Sequence, residues 1–190
     1  MLTETAPPTI TTAMHDEFAR HLRLSTGFAA DQGQDVDAAF LAAVAHLERV
    51  LGICLIPREF SWRGRLGRDC SVTAPIAPVR TLTSVSRLSR DGDSTPLDLS
   101  LFNLDQTTVR TRFRALKSIS GDLEFVFEAG FGPGWEATPA DLRRATLILA
   151  AEHFDQRRAT VPGREALATY GVAALIQPWR PMRLGSGAGR

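Results

Sequence analysis

From Pro57 to Gly130 the chain alternates. "REFSWRG", "PVRTLTSVSRL", "TTVRTRF" and "DLEFVFEAG" set apolar and polar residues in turn, or gather β-branched and aromatic ones. That is the period of strands with one buried face. The segments on either side have a different period. In "DVDAAFLAAVAHLERVLG", 35–52, Val36, Phe40, Val44, Leu47 and Leu51 recur at helical spacing. Asp35 or Asp37 can cap the first amides, and Gly52 can take the left-handed stop. A weaker helix, 13–24, puts Met14, Phe18 and Leu22 on one face. Downstream, "TPADLRRATLILAAEHFDQRRA" predicts a helix over 138–158, with Thr138 as N-cap, Pro139 at N1 and Asp141 at N3. Arg157 and Arg158 fall in its last turn, where cations suit the dipole. Helices, a β block, then a helix is not the strand–helix alternation of a parallel sheet. The order predicts an α+β chain, a small helical bundle carrying a β-rich antiparallel insertion over 58–130. The insertion has room for about five to seven short strands. "RDGDS" and "SGD" supply turns, Asp91-Gly92 is a hairpin signal, and Pro75, Pro78 and Pro96 fall at strand starts or edges.

The remaining segments frame one domain. Residues 1–12 read as a flexible polar N-terminal tail, 13–160 as a single domain, and 161–190 as an extended C-terminal arm with "EALATYGVAALI" as a short helix near its start. With 44% hydrophobic and 23% charged residues, the 190-residue chain is composed like a globular protein. No apolar run approaches the roughly 18 residues of a membrane helix, and the N-terminus lacks the basic and apolar regions of a secretory signal. Cys54, inside "GICLIP", reads as a buried free thiol, and Cys54 with Cys70 cannot build a zinc cage alone.

The net charge of +1 is unevenly spread. Residues 1–56 hold three arginines against seven acids, while 57–115 hold ten arginines against six acids. Residues 116–159 are acidic by two charges and 160–190 basic by three. Segregated charge of this kind suits complementary surfaces in a head-to-tail assembly.

Chemical motifs are weak. "GFGPGW", 130–135, lies between a strand and a helix, but its glycine spacing is G-x-G-x-G and not the dinucleotide fingerprint G-x-G-x-x-G. It reads as a flexible β-to-α connection. His15, His21, His46 and His153 form no metal-ligand pair, and Glu152, His153 and Asp155 point in different directions on a helix. No catalytic residue, metal site or cofactor is expected, and the chain does not read as an enzyme. Arg110, Arg112 and Arg114 share one face if "TVRTRFR" is a strand. They form a solvated face or a stripe facing nucleic-acid phosphate, and the latter is the rival reading of the chain: a non-specific nucleic-acid-binding module. Arg63, Arg65 and Arg68 in "RGRLGR" allow the same two readings.

The arm "IQPWRPMRL" is too short and too interrupted by proline for a membrane helix. Its prolines favour an extended form that loses little entropy on docking, and they argue against folding back as a helix. Trp and Arg are residue types that dominate interface hot spots.

Four stretches in order, "DVDAAFLAAVAHLERVLGICLIPREF", "PVRTLTSVSRL", "FEAGFGPGWEATPADLRRATLILAAEHFDQR" and "GVAALIQPWRPMRL", resemble the head–tail connector, or adaptor, proteins of siphovirus-type tailed phages and phage-derived gene transfer agents. The likeness spans about residues 13 to 184. The resemblance implies a virion protein of the head–tail interface, assembled in the host cytoplasm. It implies a ring of roughly a dozen copies closed by rotation, docked on the portal protein, with a tail-side stopper or tail-completion protein below and no membrane partner. DNA passes through the lumen with only non-specific contact, for which Arg110, Arg112 and Arg114 are candidates. The portal-binding arm it implies is Gln177, Pro178, Trp179, Arg180, Pro181, Met182, Arg183 and Leu184.

Overall fold

A computed structural model describes residues 2–25, 31–89, 93–107, 110–156 and 165–180. In chain order the elements are β1 (Leu2–Glu4), α1 (Thr12–His21), α2 (Gly33–Leu51), β2 (Arg58–Gly64), β3 (Ser71–Thr73), β4 (Val79–Leu88), β5 (Ser94–Leu97), β6 (Phe102–Thr107), β7 (Arg110–Ala115), β8 (Asp122–Ala129), α3 (Ala140–Gln156) and α4 (Glu165–Ile176). The α+β class and the β-rich insertion are as the alternating pattern predicts. Seven described strands lie between residues 58 and 129, and every pairing is antiparallel.

The strands form two sheets, ordered β1-β2-β8-β4-β5 and β3-β7-β6. Their inner faces meet in an aromatic core. Phe113 of β7 stacks on Phe125 of β8 with centroids 4.8 Å apart and planes within 8°, and Trp62, Phe60, Phe102 and Phe127 surround them. Alternation explains the burial. On β8, Leu123, Phe125, Phe127 and Ala129 point inward and the residues between them do not. Pro96 sits on β5, an edge strand, where its missing donor costs no ladder bond. The Asp91-Gly92 turn lies outside the described residues, but the strands flanking it pair as a hairpin.

A second core lies among the helices, where α2 packs on α3 and α3 on α4. Phe40 lies between Phe18 and Trp135, 5.7 and 5.3 Å from their ring centroids. The stretch Ile53–Ile56 joins the two cores. Ile53, Leu55 and Ile56 enter the helical core, and Cys54 enters the sandwich core.

Several local expectations are corrected. Residues 1–12 are not simply a tail: Leu2–Glu4 pair with Trp62–Phe60 and extend the large sheet. Helix α1 spans 12–21 with Thr11 as its cap, whose hydroxyl accepts from the Met14 amide. Helix α2 starts earlier than expected, which places Asp35 in its first turn. The cap position is Gln32, and Asp37 instead meets the His15 imidazole at 2.8 Å. Gly52 does take the left-handed stop, at φ 67°. At the entry of α3 the Thr138 hydroxyl donates to the Leu55 carbonyl and ties the helix to the junction. Arg157 and Arg158 lie outside the described residues.

Candidate functional site

The arginine row is built by β7. Arg110, Arg112 and Arg114 face solvent while Thr111, Phe113 and Ala115 are buried. The register places Thr73 and Asp105 opposite Arg112, Ser71 and Asn103 opposite Arg114, and Thr107 opposite Arg110. The outer face of the small sheet is therefore a central line of cations with Thr73 and Asn103 exposed beside it. Two acids temper it: Asp105 opposes Arg112 directly, and Asp69 lies close enough to feel the same guanidinium. Asp69 titrates below the usual carboxylate range, chiefly because the Ser71 hydroxyl donates to it, with Arg112 adding to the effect.

The C-terminal segment is placed differently from its expected extended form. Residues 165–176 form α4, whose Val172 and Ile176 are buried in the helical core. Gln177–Trp179 make a single 3-10 turn. Pro178 is compatible with that turn because the first positions need no amide donor. Trp179 then folds back onto the body. Its ring meets Phe131 edge to face, with centroids 5.5 Å apart, and its indole N–H donates to Asp141 at 2.6 Å. Arg180 is exposed. Pro181, Met182, Arg183 and Leu184 lie outside the described residues. The partners of Trp179 were invisible in the sequence because Phe131 and Asp141 are 48 and 38 residues away along the chain.

The glycine stretch 130–135 is a packed joint and not a flexible connection. Gly130 has φ 135°, and a Cβ there would stand 2.8 Å from the Pro57 Cα. A Cβ on Gly132 would overlap Ala137. Trp135 is buried, and its indole N–H donates to Glu17 at 2.7 Å, while the same carboxylate accepts from Arg143 at 2.6 Å. An acid beneath the loop is the wrong charge for phosphate. His21, near Arg144, titrates below its ordinary value, first through burial and then through that cation. Among the described residues no cluster of three His, Cys, Asp or Glu side chains has the arrangement of a metal site.

One polar centre was not singled out from the sequence. Glu48, 8% exposed, accepts from the Leu55 amide at 2.7 Å and from both terminal nitrogens of Arg58, at 3.0 and 2.7 Å. Arg58 also donates to Glu4 on β1, to the Ile56 carbonyl and toward the Cys54 sulfur, and covers the Phe60 ring. Burial alone would lower the Arg58 pKa, but the bonds to Glu48 and Glu4 outweigh it and raise the value. The free Cys54 thiol is pushed up to about 12, first by burial and then by the Glu48 charge. This centre fastens the helical layer to the sandwich.

The described residues thus show a rigid joint between two cores, an outward row of arginines and a folded C-terminal turn. No protein-family model and no curated protein matches the chain. Solved structures do, among them the following three. A chain from the neck of an empty gene transfer agent particle, computed with sixfold symmetry, is 33% identical over 100% of both chains, with a TM-score of 0.83. A chain from the virion of a native gene transfer agent is 33% identical over 98% of both, with a TM-score of 0.79. A chain from the neck of a native particle, computed with twelvefold symmetry, is 30% identical over 100% of both, with a TM-score of 0.77. The chain belongs to the head–tail connector proteins found in the necks of gene transfer agent particles. Its role is structural.

Proposed function

We propose that copies of this chain form a ring in the neck of a phage-like particle, joining the portal to the tail and leaving a lumen through which DNA passes. The observation that carries this reading is the full-length match to neck chains resolved with sixfold and twelvefold symmetry. A ring closes when one heterologous contact repeats through a rotation that returns to its start. The portal protein lies above the ring and a tail-side stopper or completion protein below it. Assembly takes place in the host cytoplasm before the subunit becomes part of the particle.

Gln177–Leu184 is the segment we assign to the portal. In the free chain Trp179 rests on Phe131 and Asp141. Docking in a portal pocket exchanges one aromatic and one acidic partner for others, which keeps the net cost of transfer small. The Arg110–Arg112–Arg114 face is the surface we assign to passing DNA. Asp105 and Asp69 weaken its pull, which suits a passage that must not grip its cargo.

Truncation after residue 176 tests the reading. The truncated chain should fold, because the buried residues of α4 are retained, yet it should fail to join purified portal in a sedimentation or electron-microscopy assay. Normal joining by the truncated chain would refute the arm assignment.

A further inference from the structure

The helical layer has two uncharged flanks. Residues 38–47 of α2, "AAFLAAVAHL", contain no Asp, Glu, Lys or Arg, and neither do residues 166–179, which include most of α4. Half of α2 is nonetheless on the surface. Ala38, Ala42, Ala45 and His46 are exposed, and Leu41 is half-exposed. A surface helix ordinarily turns charged residues outward. Helix α3 does so in the same layer, with Arg144 and Asp155 exposed. After Glu165 helix α4 carries no Asp, Glu, Lys or Arg. It packs on α3 through Val172 and Ile176, while Ala174 is exposed and Ala173 and Leu175 are half-exposed.

Helices α2 and α4 each pack on α3, so the two faces belong to different elements of the layer. Both are rich in alanine, so a second helix can approach either closely. The α2 face also continues into a groove of about 440 Å³, lined in part by Val44, Ala45 and Ile76 and in part by the charged Glu48, Arg49 and Arg58. Two unlike apolar faces on one subunit are what a heterologous contact needs, since each copy offers one face and receives the other.

We propose that the outer face of α2 receives α4 of a second copy, so that neighbouring subunits join head to tail through their helical layers. This rests on the ring reading above and adds to it the surfaces that touch. Ala38, Leu41, Ala42 and Ala45 of the one face and Ala173, Ala174 and Leu175 of the other carry no charge to be desolvated on contact, with Arg49 exposed at the C-terminal end of the α2 stripe. Alanine also loses no side-chain entropy when it is covered.

Two sets of variants test it in the full chain. Ala42→Glu and Ala174→Glu each place a strong helix former at an exposed position, so the isolated subunit should keep its melting temperature and circular dichroism. Each should weaken ring formation on purified portal at least tenfold. Cross-linking gives the direction of the contact. In a Cys70→Ser background, chains carrying both Ala42→Cys and Ala174→Cys should give a ladder of covalent oligomers with a short bis-maleimide. An equal mixture of the two single-cysteine chains should stop at dimers, and neither single variant alone should cross-link. If the unaltered chain makes no ring, the ring reading falls and this contact with it. If it makes rings and the glutamate variants make them equally well, the contact alone is overturned. Dimers from Ala42→Cys alone would also overturn it, by showing that α2 meets α2.

Discussion

Replacing Glu48 with alanine isolates the joint between the two cores. The substitution removes the acceptor of three hydrogen bonds, from the Leu55 amide and from both terminal nitrogens of Arg58. Arg58 is left with 7% of its side chain exposed and with Glu4, itself 44% exposed, as its remaining carboxylate. Breaking a buried ion pair from one side costs about 3–5 kcal/mol, because a charge stays buried without its counter-ion. The stranded Leu55 amide falls within the same range, since an unsatisfied buried donor costs about 1–3 kcal/mol and the two losses are not additive. Glu4→Ala removes only an exposed partner and should cost under about 1 kcal/mol. Urea unfolding of the full chain, followed by tryptophan fluorescence and by far-ultraviolet circular dichroism, measures both. Glu48→Ala should lower the midpoint by several times the effect of Glu4→Ala, with both probes moving together. A loss below about 1 kcal/mol for Glu48→Ala would refute the claim that this carboxylate holds the layers together.

Other expectations can be checked in the same chain. Gly130→Ala forces a side chain into φ 135° against Pro57 and should destabilise by about 2 kcal/mol or more in urea melts. Trp179→Ala should cost the free subunit about 1–3 kcal/mol through the lost Phe131 contact and Asp141 bond, and Trp179→Phe less; an unchanged melting point for both would mean the turn does not hold the body. The native Cys54 thiol should resist a maleimide at pH 8 while Cys70 reacts. Because folding raises the Cys54 pKa from 9.0 to about 12, the stability linked to that thiol is intact below pH 9 and declines as pH rises from 9 toward 12, which a pH series of melts on a Cys54→Ala control resolves. Arg112→Ala should reduce any DNA binding seen by anisotropy at low salt and flatten its salt dependence by up to about 0.9 in log–log slope, one phosphate contact's worth.

Much of the architecture follows from local pattern. The switch from helical to alternating period near Pro57 separates the layers, because side chains on a strand and on a helix face their core at different intervals. Gly52 marks the stop of α2 since glycine takes a left-handed backbone angle at no steric cost. The outward row Arg110, Arg112, Arg114 is likewise a consequence of strand geometry, and the order of the quoted stretches carried the resemblance to head–tail connectors.

What the pattern left open were pairings over distance. β1 is three residues long, too short to show a period, and exists because the β2 edge offers it partners. Thr138 reads as a cap, and nothing in the pattern shows that its hydroxyl donates to the Leu55 carbonyl, 83 residues away. Trp179 has the composition of a free hot spot, yet its nearest satisfied position is on Phe131 and Asp141 of its own chain. Glu48 looks like one more polar residue on an amphipathic helix until the fold brings Arg58 and the Leu55 amide to it. Residue order determined which segments became helices and strands, since those preferences are settled within a turn or a ladder. Tertiary structure decided which polar groups found one another and which apolar faces stayed uncovered, because both depend on contacts between residues far apart in the chain.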